Sequence, residues 1–145
     1  MFITQISAFI ENKPGRLAEV IGYLADENVN IHALSIADTT DFGILRLIVS
    51  DPEKTWSILK SQGLTVKLTE VIAVSLQQKP GSLAAVLKEL ESLDTSIEYM
   101  YAFTSRSTAH DAMVILRLDK QEESVEKIKG SGIELIGPEV LRDLN

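Results

Sequence analysis

The chain has 145 residues, 45% hydrophobic and 24% charged, with a formal net charge of −7 and no cysteine. The acidic balance argues against a nucleic-acid partner, because phosphate backbones select clustered Lys and Arg. Without cysteine there are no disulfides, thiolate metal sites or Cys nucleophiles, and no apolar run nears the roughly 18 residues of a membrane-spanning helix.

The start, Met1-Phe2-Ile3-Thr4-Gln5, has neither the basic opening nor the small-residue cleavage site of a signal peptide, so a cytoplasmic, non-membrane protein is expected. Phe2 to Ile10 is rich in β-formers and predicts a strand. Pro14 fits the first turn of a helix, where its missing N–H is no loss. Leu17, Val20, Ile21 and Leu24 follow at i, i+3, i+4, i+7 as one apolar stripe, and the helix should end near Glu27-Asn28. Val29 to Ala37 predicts a strand, Asp38-Thr39-Thr40-Asp41 a turn, and Gly43 to Val49 a third strand. Asp51 then caps a helix with Pro52 at its first position and Trp56 and Leu59 facing inward. Gly63 stops it, and Leu64 to Leu68 is a fourth strand.

The segment Lys13-Pro14-Gly15-Arg16-Leu17-Ala18-Glu19-Val20 returns as Lys79-Pro80-Gly81-Ser82-Leu83-Ala84-Ala85-Val86, with six of eight positions identical. Leu24 matches Leu90 and Ile31 matches Ile97 at the same spacing of 66; later, Leu47 with Leu116 and Gly63 with Gly132 are 69 apart. Three extra residues in the second copy are placed in the loop Thr104 to His110. The order of elements repeats accordingly: strand Val71 to Leu76, helix Pro80 to Leu93, strands Ser96 to Phe103 and Ala112 to Leu118, helix Gln121 to Lys129, strand Gly132 to Ile136. Leu83, Val86, Leu87 and Leu90 point inward on one helix, Val125 and Ile128 on the other; the tail from Pro138 is not assigned. A duplication is the best account, with units 1–69 and 70–145. Each unit reads β-α-β-β-α-β, the split βαβ of ferredoxin-like α+β folds, with an antiparallel sheet and both helices on one face. Units of this size bury little core alone, so they are expected to pack side by side or to pair with other chains.

The loop Glu11-Asn12-Lys13-Pro14-Gly15-Arg16-Leu17 leads from a strand into a helix, whose unpaired N–H groups suit a carboxylate or phosphate. Gly15 lets a ligand approach the backbone, and Asn12 offers both a donor and an acceptor. Together they suit a small zwitterion such as an amino acid, although Pro-Gly before a helix is also an ordinary turn.

That string, followed by Glu27-Asn28-Val29-Asn30-Ile31, resembles the ACT domain, the small regulatory module of amino-acid metabolism, and in particular the serine-sensing ACT domain of phosphoglycerate dehydrogenase. The resemblance covers both copies. It implies that Asn12 binds an effector, that backbone N–H groups of Gly15, Arg16 and Leu17 receive its carboxylate, and that Asn30 reaches across from a neighbouring domain. Ile10 stands where serine sensors carry a polar His, so serine itself is not implied. In the second copy the corresponding loop holds Gly81, Ser82 and Leu83, while Gln78 and Ser96 replace Asn12 and Asn30. If the first copies of two chains pair, Asn12 meets Asn30 of the other chain; if the copies pair within one chain, as the short linker favours, Asn12 faces the region Ser96 to Tyr101, Asn30 faces Gln78, and Tyr99 or Tyr101 walls the pocket. As strand residues the two tyrosines are equally well read as packing.

His32 and His110 are not at equivalent positions and have no ligand spacing around them, so no metal is expected. His32, two residues after Asn30, is a candidate for lining the pocket. No G-x-S-x-G elbow, P-loop or dinucleotide fingerprint is present, and no cofactor is expected. The run Gln121 to Lys127 reads as the solvated face of a helix. The expectation is a stand-alone tandem protein, not an enzyme, without an attached catalytic or helix-turn-helix domain. It would bind a free amino acid between domains, self-associate as a homodimer, and act on a separately encoded metabolic enzyme. The alternatives are a ligand-free assembly module and a small enzyme on the same scaffold.

Overall fold

The computed structural model describes residues 2–38, 41–104 and 112–142. In chain order the elements are β1 (Ile3–Glu11), α1 (Arg16–Asp26), β2 (Ile31–Asp38), β3 (Phe42–Val49), α2 (Pro52–Ser61), β4 (Thr65–Leu76), α3 (Ser82–Ser92), β5 (Ile97–Thr104), β6 (Ala112–Leu118), α4 (Gln121–Lys129), β7 (Leu135–Ile136) and α5 (Pro138–Arg142). Two compact units result. One is Thr4–Thr69; the other begins at Glu70 and includes Phe2 and Ile3.

In the first unit the strand order is β2-β3-β1-β4, with β3 antiparallel to both β1 and β2. Ile6, Ala8 and Ile10 of β1 and Leu45, Leu47 and Val49 of β3 share one core with Val20 and Leu24 of α1 and Leu59 of α2. Both helices therefore lie on one face. In the second unit β4 pairs with β6 and β7, and β6 with β5, all antiparallel. Its core joins Ile72 and Val74 to Val114, Leu116 and Leu118, beneath Leu90, Val125 and Ile128. On the sheet face away from the helices, Gln5 and Ile48 are buried in the first unit, where Phe9 is 50% exposed, and Ala73, Met113 and Ile115 are buried in the second.

Helix ends follow local chemistry. Asp51 caps α2, its carboxylate accepting from the Lys54 N–H at 3.1 Å, with Pro52 at the first position. Gly63 (φ 84°) ends α2 as expected: its N–H reaches the Lys60 carbonyl at 3.0 Å and that of Leu64 reaches Leu59 at 3.1 Å, a Schellman arrangement.

Several expectations need correction. Pro14 and Pro80 precede their helices, which begin at Arg16 and Ser82. The strands read at 64–68 and 71–76 are one strand, β4, because no turn residue interrupts Thr65–Leu76. The last strand shrinks to Leu135–Ile136, and Pro138–Arg142 forms a short helix. Trp56 is 38% exposed, with Lys60 Nζ 5.5 Å from its ring centroid; the inward residues of α2 are Thr55 and Leu59. One residue beyond Thr55 is a 100° rotation, which carries the indole off the core stripe. Leu83 is 39% exposed, at the open start of α3. Gln121 and Ser124 are buried, so the face read as solvated is partly a core contact. The inserted loop Thr104 to His110 and the turn at 39–40 lie largely outside the described residues.

Candidate functional site

Lys13-Pro14-Gly15-Arg16 closes a turn through a 3.2 Å hydrogen bond from the Arg16 N–H to the Lys13 carbonyl. Gly15, at φ 84° and ψ −13°, has the conformation of the third residue of a type II turn, which favours glycine after proline. The same residue is the N-cap of α1 and offers no side chain to its first turn. The Glu19 N–H returns to the Gly15 carbonyl at 3.0 Å. Arg16 and Glu19 thus have acceptors, whereas among the described residues the amides of Gly15, Leu17 and Ala18 have none. The expected trio of Gly15, Arg16 and Leu17 is shifted, because the turn engages Arg16. The second loop repeats this chemistry: Ser82 N–H to Lys79 at 3.3 Å, Ala85 N–H to Gly81 at 2.9 Å, and no acceptor among the described residues for Gly81, Leu83 and Ala84.

Around the first loop, the Asn12 N–H donates to the Asp41 carbonyl at 3.0 Å, fixing the backbone and leaving the side chain exposed. Glu11 pairs with Lys13 at 3.1 Å. Arg16 pairs with Glu19 at 2.6 Å, and the same carboxylate oxygen accepts from the Tyr23 hydroxyl at 2.6 Å. The Tyr23 hydrogen bond, aided by Arg16, lowers the Glu19 pKa, and the Glu19 bond raises that of Tyr23. Arg16 Nε is buried without an acceptor among the described residues. Ile10 is a core residue, only 6% exposed, and faces Gly43 across the strand pair. Leu17 is half-buried against the same core.

Asn30 stands elsewhere. Its N–H donates to Ser50 Oγ at 3.0 Å, and the Ser50 N–H returns to the Asn30 carbonyl at 2.9 Å. In the register, Ile10 faces Gly43 and Ile31 faces Val49. Asn12, opposite Asp41, and Asn30, opposite Ser50, therefore flank opposite ends of β3, about 30 Å apart at ~3.3 Å per residue. One small ligand cannot touch both within a single unit. His32 is the extra residue of a bulge between Ile31 and Ala33; its Nε2 is buried without a partner among the described residues, and burial lowers its pKa.

The second unit places its groups alike. The Ser96 N–H donates to Asp119 Oδ1 at 2.9 Å, the Asp119 N–H returns to Ser96 at 3.0 Å, and a bulge follows between Ile97 and Tyr99. Beyond that bulge Tyr99 faces Arg117 and Tyr101 faces Ile115, on the side of the sheet away from α3 and α4. Neither tyrosine walls the loop of its own unit. That loop borders a recess of ≈380 Å³ whose lining is part polar, at Gln77, Gln78, Lys79 and Ser82, and part apolar, at Leu76 and Leu83 among others.

Among the described residues no group of three or more His, Asp or Glu could hold a metal ion, and no helix is long and apolar enough to cross a membrane.

A family model described as an ACT domain pair matches residues 1–144. The chain belongs to the ACT domain pair family. Protein BT0572 from Bacteroides thetaiotaomicron, a solved structure, is 42% identical, with a TM-score of 0.90 over 99% of this chain and 98% of that one. The regulatory subunit of aspartate kinase from Thermus thermophilus, in its ligand free form, is 16% identical, with a TM-score of 0.60 over 89% and 91% of the two chains. The corresponding subunit from Thermus flavus gives 16% identity and 0.58 over 88% and 90%; at this identity the likeness concerns the fold. No curated protein matches the chain.

Within this ACT pair, sequence reasoning missed Ser50 and Asp119, which hold the residues in front of β2 and β5. The signal was present: the spacing of 69 aligns the two as short polar residues directly after the third strand of each ACT unit. Glu19, which pairs with Arg16, and Tyr23, which donates to Glu19, also went unread; their i, i+4 spacing on one helix face could have shown them.

Proposed function

We propose that this ACT pair is a non-catalytic regulatory sensor that binds a free amino acid where two ACT units meet, units 1–69 and 70–145 being its domains. The observation that carries the reading is the set of amides at Gly15, Leu17 and Ala18, held toward solvent by a glycine turn with Asn12 beside them. Such a row of N–H groups at a helix start favours a carboxylate. Separation of Asn12 from Asn30 supports a ligand shared between units, since each unit contributes one end of the contact. A ligand touching two units favours the arrangement in which both reach it, and that bias is the regulatory signal. The binding set comprises Glu11, Asn12, Pro14, Gly15, Arg16, Leu17, Asn30 and His32, with Gln78, Gly81, Ser82, Leu83 and Ser96 as their second-unit counterparts. The target is a separately encoded metabolic enzyme in the cytoplasm, and the working form is a homodimer.

Thermal unfolding with each of the twenty amino acids tests this. At about 100 times the dissociation constant a native-state ligand adds roughly 2.7 kcal/mol, which raises Tm by about 5 to 10 °C for a chain of this size. One or a few amino acids should do so, and Asn12→Ala should remove the shift. No shift with any of them refutes the sensor.

A second reading, assembly without a ligand, is favoured by one observation. Strand β2 pairs only with β3 among the described strands and exposes Leu34 (49%) and Ile36 (43%) beside its open edge. Open apolar edges recruit further strands.

A further inference from the structure

The second strands of the two units, β2 and β5, share a local design and fill it differently. Asn30 and Ser50 exchange two hydrogen bonds, at 3.0 and 2.9 Å, and Ser96 and Asp119 do the same at 2.9 and 3.0 Å. Two residues on, each strand carries a bulge whose extra residue has no partner on the neighbouring strand: His32 in the first unit, Glu98 in the second. Glu98 is exposed, whereas His32 is half-buried and its Nε2 is sealed from solvent without a hydrogen-bond partner among the described residues. The charged groups around the first bulge are Asp26 and Glu27 at the end of α1, Arg46 on β3, Asp51 before α2 and Lys54 on α2. Lys54 Nζ donates to the Glu27 carbonyl and Asp51 accepts the Lys54 N–H; none of the five bonds or pairs with the imidazole.

We propose that His32 is a pH-operated latch on the first bulge: with a neutral ring the bulge stays closed, and with a charged ring it opens and frees the Asn30–Ser50 pair, while the Glu98 bulge stays shut. A charged imidazole is a donor at both nitrogens. The closed bulge offers Nε2 no acceptor, so charging the ring in place would bury an unpaired N–H on a cation. Releasing the ring is the easier response, because only the Ile31–Val49 register pair lies between the bulge and the Asn30–Ser50 bonds. Glu98 is already in solvent, so opening its bulge would relieve nothing. The sign agrees with the geometry: burial lowers the His32 pKa below 6.5, so the closed form is favoured above that value and loses ground as the pH falls. The latch is a property of the strand and stands without the sensor reading; if Asn30 contacts an effector, acid removes that contact too.

The test is amide hydrogen exchange of the full chain, without ligand, at about pH 8 and about pH 5, each rate divided by its intrinsic value at that pH. Opening at Asn30 and Ser50, relative to Ser96 and Asp119, should rise several-fold at the lower pH; the ordinary 6.5 of a released ring sets a ceiling of about thirty-fold. His32→Gln should remove the rise. Should that variant not fold, the wild-type ring replaces it: the NMR titration of the His32 ring and the pH-dependent shift of the Ser50 amide should share one midpoint. No rise, an equal rise in both units, a rise that survives His32→Gln, or two separate midpoints overturns the latch.

Discussion

Asn30 and Ser50 hold each other by two hydrogen bonds, Asn30 N–H to Ser50 Oγ at 3.0 Å and Ser50 N–H to the Asn30 carbonyl at 2.9 Å. Only the first needs the serine side chain. Ser50→Ala should therefore leave the backbone pair intact, orphan one N–H, and cost about 1 kcal/mol in urea unfolding. Asp119→Ala, at the matching position against Ser96, should cost about as much. If Asn30 contacts the effector, Ser50→Ala also weakens amino-acid binding, and Asp119→Ala does so only where the second loop is occupied.

Two backbone positions predict effects of opposite sign. Gly15 has φ 84°, and a methyl added there would stand in open space, so Gly15→Ala should destabilise by ~1 kcal/mol from conformation alone. Lys120, at φ 45° and ψ 53°, occupies the N-cap of α4 without any side-chain cap. Lys120→Gly should stabilise the chain by about 0.5–1 kcal/mol. Both are read from chemical-denaturation midpoints.

Buried Gln121 ties α4 to two strands of its own unit, donating from Nε2 to the Glu70 carbonyl and accepting the Leu118 N–H at 3.2 Å. Gln121→Leu keeps the volume and removes both bonds. The expected loss is about 1–3 kcal/mol, since a buried N–H is left without a partner.

Burial lowers the His32 pKa below its ordinary 6.5, so the fold favours the neutral ring. That contribution is complete above pH 6.5 and is lost as the pH falls from there through the folded-state value. Glu19, lowered by its Tyr23 hydrogen bond, contributes above its ordinary 4.5 and is lost only below that. Tm followed from about pH 8 down to about pH 5 should fall in the wild type and fall less in His32→Gln. Parallel curves would show that the imidazole does not titrate with folding.

Much of the fold was legible because local chemistry decides it. Asp51-Pro52 marks one helix start and Gly63 its stop, and Leu17, Val20, Ile21 and Leu24 mark another helix's inner stripe. Which way the strand residues face needs long-range information. A period-two pattern continued from Ile31 puts Ala33 and Ser35 on the helix side, but the bulge at His32 reverses the alternation. Leu34 and Ile36 then share the helix side with Leu47 and Leu45, on an edge strand that the helices leave exposed. The matching bulge after Ile97 turns Tyr99 and Tyr101 the other way. At the loop, proline and glycine were legible as a turn before a helix. Which amides stay unpaired depends on the Arg16-to-Lys13 hydrogen bond, which no residue pattern announces.

The sensor stands or falls on an effector carboxylate seated on unpaired amides at a helix start. Amide NMR of the labelled protein reads those groups one by one, during titration with whichever amino acid raises Tm. The Gly15, Leu17 and Ala18 resonances, or those of Gly81, Leu83 and Ala84, should shift most and saturate together. Saturable binding that leaves all six unmoved would contradict the proposal.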